Sequence, residues 1–193
     1  MTKFVPLTIL CTILVCSILN AQSPKRSFTL SAGIGIVPAY SGKNAKSEVL
    51  PVILEAEYRI SNKFSLGAYA GYTAVKSDPK VLSDGIESST TNKTSMVGLR
   101  GQLHKDFTEK IEIYGGTMLG YAFFNTTEKD MRTGDVVIRE QGAPTPFDPN
   151  APKGQFVYSG FVGSKYALSK KMRVYAEIGL GVALVSTGFS FQL

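Results

Sequence analysis

From about residue 27 onward, apolar and polar positions alternate with a period of two in runs of about 9 to 15 residues. No stretch sustains the 3.6-residue period of an amphipathic helix. The alternation predicts eight strands, at about 27–40, 50–60, 63–75, 92–105, 110–124, 155–168, 171–181 and 183–193. Three connections are tight: Ser61-Asn62, Asp106-Phe107-Thr108-Glu109 and Ser169-Lys170. The intervening ones, 41–49, 76–91 and 125–154, are long, and only the last, near Gly181-Val182, is short. A soluble sandwich has no reason to place short turns at one end and long loops at the other. A transmembrane β-barrel does. The prolines fall at strand ends or in loops, with Pro144, Pro146, Pro149 and Pro152 clustered in the longest loop. None sits mid-strand, where it would remove a ladder hydrogen bond.

The two faces of these strands differ sharply. One face reads Phe28, Leu30, Ala32, Ile34, then Val52, Leu54, Ala56, Tyr58, and continues through Leu99, Val162 and Ile178 without a charge. The other carries Glu55, Glu57, Arg59, Arg100, Glu112, Lys165, Arg173 and Glu177, with Tyr69, Tyr114, Tyr175 and many of the 19 glycines. Aromatics on the apolar face fall at two levels. Phe28, Tyr58, Phe64, Tyr166, Phe189 and Phe191 lie near the short turns. Tyr40, Tyr72, Tyr121, Phe123, Phe156 and Tyr158 lie near the long loops. Two aromatic belts around an aliphatic band match the two interfaces of a bilayer. The reading is therefore all-β: an eight-stranded antiparallel up-and-down transmembrane β-barrel with its apolar face outward. Eight strands leave an interior that side chains just fill. Four acids and four bases inside then imply a paired network, because buried charges require partners.

The first 21 residues differ from the rest. Lys3 precedes an uncharged run over 4–19, and Asn20-Ala21 precede a polar stretch beginning at Gln22. This is the layout of a secretory signal peptide cut after Ala21, leaving a barrel domain over 22–193. An uncleaved anchor is the competing reading, but the apolar run is short for a span. A lipoprotein cut before Cys16 would place bulky Leu14-Val15 where small residues are wanted. Cleavage would remove Cys11 and Cys16, the only two cysteines, and with them any disulfide or thiol chemistry.

Composition adds little against this. Charged residues are 19% of the chain, against about 25% in soluble domains. That suits a surface turned toward lipid. The net charge of +6 would permit a nucleic-acid partner, but no nucleic-acid module is present. Lysines 43, 46, 76, 80, 93 and 129 lie in or beside the long loops, and anionic lipid phosphates explain them more simply. No metal spacing or phosphate loop occurs, and no cofactor is expected. The single histidine, His104, falls near a short turn with no evident Ser or Asp partner, and reads as an interfacial polar residue.

The closing stretch, Val174-Tyr-Ala-Glu-Ile-Gly-Leu-Gly-Val-Ala-Leu-Val-Ser-Thr-Gly-Phe-Ser-Phe-Gln-Leu193, covers the last two strands and alternates to its end with Phe189 and Phe191 on the apolar face. With the leader and eight strands, this ending resembles the small outer-membrane β-barrel family of the OmpX and OmpA-transmembrane-domain type, the "porin family" of Bacteroidota-like genomes. Its usual terminal aromatic is replaced here by Leu193. The resemblance implies a bacterial outer-membrane location and a last strand read by the barrel-insertion machinery, and the want of an enzyme constellation in the residues themselves predicts no catalytic role. The expected function is a non-enzymatic barrel with a filled interior, acting in envelope integrity or surface interaction. Its partners would be outer-membrane lipids and a surface ligand at the 125–154 loop, where Thr133-Gly134-Asp135 suits a hairpin tip. A small-solute or ion channel is the alternative. A soluble lipocalin-like binder and a lipid-modifying barrel enzyme fit less well.

Overall fold

The computed structural model describes residues 27–39, 45–139, 144–148 and 150–193. The signal peptide expected over 1–21, with its cleavage site and both cysteines, lies outside the described residues, as do Tyr40, Lys43 and Pro149. Among the described residues there are nine strands: β1 Ser27–Gly35, β2 Ala45–Arg59, β3 Phe64–Ser77, β4 Lys80–Val81, β5 Glu87–Asp106, β6 Ile111–Asp130, β7 Gly154–Ala167, β8 Met172–Gly179 and β9 Val185–Gln192. All but the two-residue β4 are barrel staves. Each stave pairs antiparallel with its neighbours in chain order, and β1 pairs with β9 to close the ring.

The three tight turns share one device. Ser61 Oγ accepts from the backbone N–H of Lys63 and Phe64, Thr108 Oγ1 from Lys110 and Ile111, and Ser169 Oγ from Lys171 and Met172. The shared pattern is a hydroxyl residue, any residue, Lys, then an apolar residue that starts the next strand. The hydroxyl mimics a backbone turn. Each lysine carbonyl then accepts from an adjacent stave, at His104, Ala167 and Gln192.

The strand boundaries differ from the sequence expectation at the other end. β5 and β6 run 20 residues each and stay paired from Asp106↔Glu112 out to Ser88↔Asp130. The last residues of the expected 76–91 loop and the first residues of the expected 125–154 loop are therefore one long ribbon. Residues 87–91 and 125–130 are polar on both faces, so apolar alternation could not reveal them. Past it the chain reverses at Gly134, whose φ of 79° suits glycine, and Asp130 N–H donates to Asp135 O.

The pairing is staggered. The partner path from Met172 on β8 runs through Leu30, Ala68 and Leu119 to Tyr158 on β7. Extending the β7–β8 register from there returns to β8 about ten residues further along, so the staves lean about 40° from the barrel axis. Such a tight ring brings backbones close. A Cβ on Gly116 would lie 1.9 Å from the carbonyl oxygen of Gly101, whereas one on Gly160 meets nothing nearer than 3.8 Å.

Exposure is inverted relative to a soluble protein. Leu99 is 72% exposed and its neighbour Arg100 only 3%. Inside, the lumen has two zones. Toward the short turns it is ionic. Toward the long loops it is apolar, built from Ile53, Tyr69, Met96, Met118, Ala122 and Val182. The β8–β9 connection folds over the lumen, and its Val182 is fully buried there. Its N–H donates to the Tyr69 hydroxyl at 3.2 Å and its carbonyl accepts from Ala39. Gly116→Ala should lower the stability of the folded barrel by about 1–3 kcal/mol through overpacking, while Gly160→Ala leaves it nearly unchanged. Thermal loss of the compact gel band measures both.

Candidate functional site

The ionic zone is assembled from side chains that alternation turns inward on six staves. Nearest the short turns, Glu112 Oε2 accepts from Arg59 Nη2 and Arg173 Nη1, each at 2.9 Å. Its other oxygen faces His104 Nδ1 at 2.9 Å. His104 Nε2 lies 3.2 Å from Glu57 Oε1 and 2.7 Å from Ser65 Oγ. Glu57 Oε2 accepts from Lys165 Nζ at 2.6 Å, and that ammonium sits 4.8 Å from the Tyr114 ring centroid. One layer further in, Arg100 bridges two acids, donating to Glu55 Oε2 at 3.0 Å and Glu177 Oε2 at 2.6 Å. Gln102 Nε2 donates to the second Glu55 oxygen, and the Tyr114 hydroxyl to Glu177 at 3.0 Å. The guanidinium carbon of Arg100 lies 3.5 Å from the Phe161 ring centroid, at the floor of the apolar zone.

All eight charged residues singled out from the sequence thus lie in one lumen, each in contact with an opposite charge. Their exposure is graded. Glu57 and Arg100 are buried, whereas the Arg59 and Arg173 side chains, at the short-turn mouth, keep 18% and 30% of theirs.

His104 departs from the expectation. It is 6% exposed and faces the lumen, not the interface, and it has the serine and carboxylate partners that the sequence did not reveal. Three strands supply them: Ser65 from β3, Glu57 from β2 and Glu112 from β6. The signal that could have found it is parity, since His104 shares a face with Arg100 and Gln102. The contacts Ser65–His104–Glu112 have the order of a nucleophile triad. Two features oppose that use. Ser65 is completely buried, so no substrate atom can approach Oγ. Nε2 also faces the Glu57 carboxylate, a placement in which the ring serves an ion pair on both sides instead of offering a free lone pair.

A second ionic cluster lies beyond the barrel, at the long-loop end. Arg139 Nε and Nη2 donate to the two Glu128 oxygens at 2.8 and 2.6 Å, and Nη1 donates to Asp84. The fork clamps the segment after the Gly134 reversal onto β6 and onto the β4–β5 turn. Arg139 holds the Glu128 carboxyl below its ordinary 4.5. The Ile86 N–H, and then Arg139, hold Asp84 below its ordinary 3.8. Glu128 and Asp84 in turn push the guanidinium further up.

Among known proteins, no family model matches the chain, and no curated protein does either. Solved structures do. The outer membrane protein OprG from Pseudomonas aeruginosa is 14% identical over 88% of this chain and 97% of its own, with a TM-score of 0.52. Neisserial surface protein A (NspA) is 15% identical over 87% and 96%, with a TM-score of 0.48. A structure from the de novo design of transmembrane β-barrels is 11% identical over 90% and 99%, with a TM-score of 0.47. The likeness to OprG is one of fold: a closed antiparallel barrel spanning nearly the whole of both chains.

Arg100→Met should destabilise the barrel by about 3–5 kcal/mol, because it leaves Glu55 and Glu177 buried without their cation. Adding Glu55→Gln and Glu177→Gln should recover most of the loss, read from urea unfolding in detergent. The outer clamp should depend on pH. Both carboxyls are depressed in the folded state, so their contribution is complete above the ordinary carboxylate range and is lost as pH falls through and below it. Amide protection over 131–139, taken relative to the unfolded-chain exchange rate at each pH, should therefore be high at neutral pH and low near pH 2, and Arg139→Gln should make it low at both.

Proposed function

We propose that this chain is an integral protein of the bacterial outer membrane, a filled and non-enzymatic barrel that acts at the cell surface through its long loops. The observation that carries this reading is the inversion around a closed ring: leucine, valine and isoleucine exposed, arginine and glutamate buried. Water would penalise such a surface across every stave, and lipid would not. The exposed aromatics support it. At the loop end the Tyr121 ring lies 4.8 Å from Phe123 and 5.1 Å from Phe156, with Tyr72 and Tyr158 on the same belt. Phe28, Tyr58, Phe64, Tyr166, Phe189 and Phe191 supply the opposite belt. Residues 1–21 would direct export and be removed. The short turns would then face the periplasm and the long loops the exterior, as in other barrels of this kind. The last strand, with Phe189 and Phe191 outward, suits recognition by the insertion machinery of the Bacteroidota-type family that the sequence resembles.

The filled lumen argues against a channel. A cross-linked ionic layer and an apolar layer capped by Val182 lie in series, and each carries side chains from opposite walls. The buried Ser65 argues against hydrolysis. What remains free to act is the loop end, where the β5–β6 ribbon, the Gly134 reversal and the Arg139 clamp present a shaped surface suited to contacts with other cells, matrix or envelope components.

Membrane-extracted protein should migrate differently on gels before and after boiling, and the purified barrel should give no large unit conductance in a planar bilayer. Recovery from the soluble periplasm would overturn the membrane reading. Large steady conductance would overturn the filled interior.

A further inference from the structure

The outer wall is not uniform. Over β1, β2 and β3 it is cut by a groove of about 450 Å³ whose floor is Ala32, Ala56, Ala68 and Ala70 and whose walls include Leu54 and Phe191. On the next two staves the wall at this level carries larger side chains, Leu99 and Leu119. Toward the long-loop end, three lysines share the outward face of consecutive staves: Lys46 on β2, Lys76 on β3 and Lys93 on β5. Lys46 and Lys76 are direct cross-strand partners. Lys93 pairs with Ala74, one outward position below Lys76.

The lean of the staves sets their heights. Each residue along a stave rises about 2.5 Å, and each step to the next stave in chain order rises about 3 Å. Lys76 is six residues along β3 from Ala70. Lys93 is one stave across, at Val97, and then four residues along β5. Lys46 is the partner of Lys76 one stave back. All three Cα atoms therefore lie about 12–15 Å above Ala70, just beyond the belt of Tyr72 and Phe123. That is the distance from mid-membrane to the headgroups. Lys93 stands almost vertically over Leu54 in the groove. The row spans about 12 Å.

Like charges placed directly opposite on a sheet destabilise it. The local acids do not cancel this row. Asp78 Oδ1 reaches Lys46 at 3.9 Å, and Glu48 Oε2 accepts from Thr91 Oγ1 at 3.3 Å. Among the described residues, Lys76 and Lys93 have no carboxylate within ion-pair distance.

We infer that this wall binds a phosphorylated glycolipid of the outer leaflet, with one acyl chain in the alanine groove and phosphate groups on Lys46, Lys76 and Lys93. A row of three cations about 12 Å wide matches a headgroup with two phosphates on a sugar core better than one phosphodiester. Asn125, cross-strand from Lys93, and Thr127, cross-strand from Thr91, face the same side and suit sugar hydroxyls. The inference rests on the outer-membrane reading and specifies a partner for it.

The test is native mass spectrometry of the full chain in detergent with bisphosphorylated lipid A, its dephosphorylated form, or phosphatidylglycerol. One lipid A should be retained, and the other two should bind far more weakly. Lys76→Gln with Lys93→Gln should weaken retention about 30-fold. Ala56→Leu with Ala70→Leu, which fills the groove, should weaken it as well. Lys129→Gln should not, because Lys129 pairs with Ser89, well above the row. Equal retention of phosphatidylglycerol, or retention unchanged in the lysine or alanine variants, would overturn the site. A gel shift on boiling, measured on the same samples, separates the two failures. A shifting barrel without lipid A retention refutes only this inference, and a chain that shows no shift refutes the membrane reading beneath it.

Discussion

Closing eight staggered strands into a ring leaves a lumen that must be filled by side chains, and most of this structure follows from that constraint. Alternation sends every second side chain inward, so whatever stands at those positions must fit and be satisfied together. Glycines such as Gly116 and Gly188 occur where opposing backbones leave no room for a Cβ. Large inward residues occupy separate levels. Tyr114 and Tyr175 fill the spaces over Gly163 and Gly33, where their rings lie within 3 Å of the position a Cβ would take.

The same constraint divides the lumen chemically. Away from water a charge requires a partner, and the narrow bore places those partners across the barrel as well as beside one another. Glu57 and Lys165 are 108 residues apart in sequence and meet at 2.6 Å. Arg100 links acids on β2 and β8, and so ties an early stave to a late one. Removing Arg100 strands both Glu55 and Glu177, which makes this part of the ionic layer a cooperative lock on closure. The apolar layer above it needs no such pairing. It is completed by the β8–β9 connection, whose Val182 supplies the volume that the staves themselves leave open. With the lumen committed to structure, the surfaces left outside that packing are the outer wall and the loop end.

Much of this was legible in the sequence because a strand exposes its facing through parity alone. Eight staves, the segregation of turns from loops, the two aromatic belts and the eight inward charges all follow from reading every second residue. The misses have physical causes. Nearness to a turn points His104 to the interface, although its parity with Arg100 places it inside. The outer lengths of β5 and β6 were hidden because Ser88, Thr90, Thr126 and Glu128 carry no apolar alternation. That ribbon is held by pairing and by Arg139, not by a half-apolar face. Val182 read as a plain short turn, since nothing local says that a connection folds over a lumen.

The sequence by itself determined which side of each stave faces in and where the chain reverses, because both depend on neighbours within a few residues. Stagger, partner choice and filling were decided only by the tertiary structure. Which glutamate meets which arginine depends on how far each stave slides against the next before the ring closes, and that slide of about ten residues is a property of all eight staves at once. The same slide places Lys93 over the alanine groove on β2 and β3, an adjacency between residues that no local pattern connects.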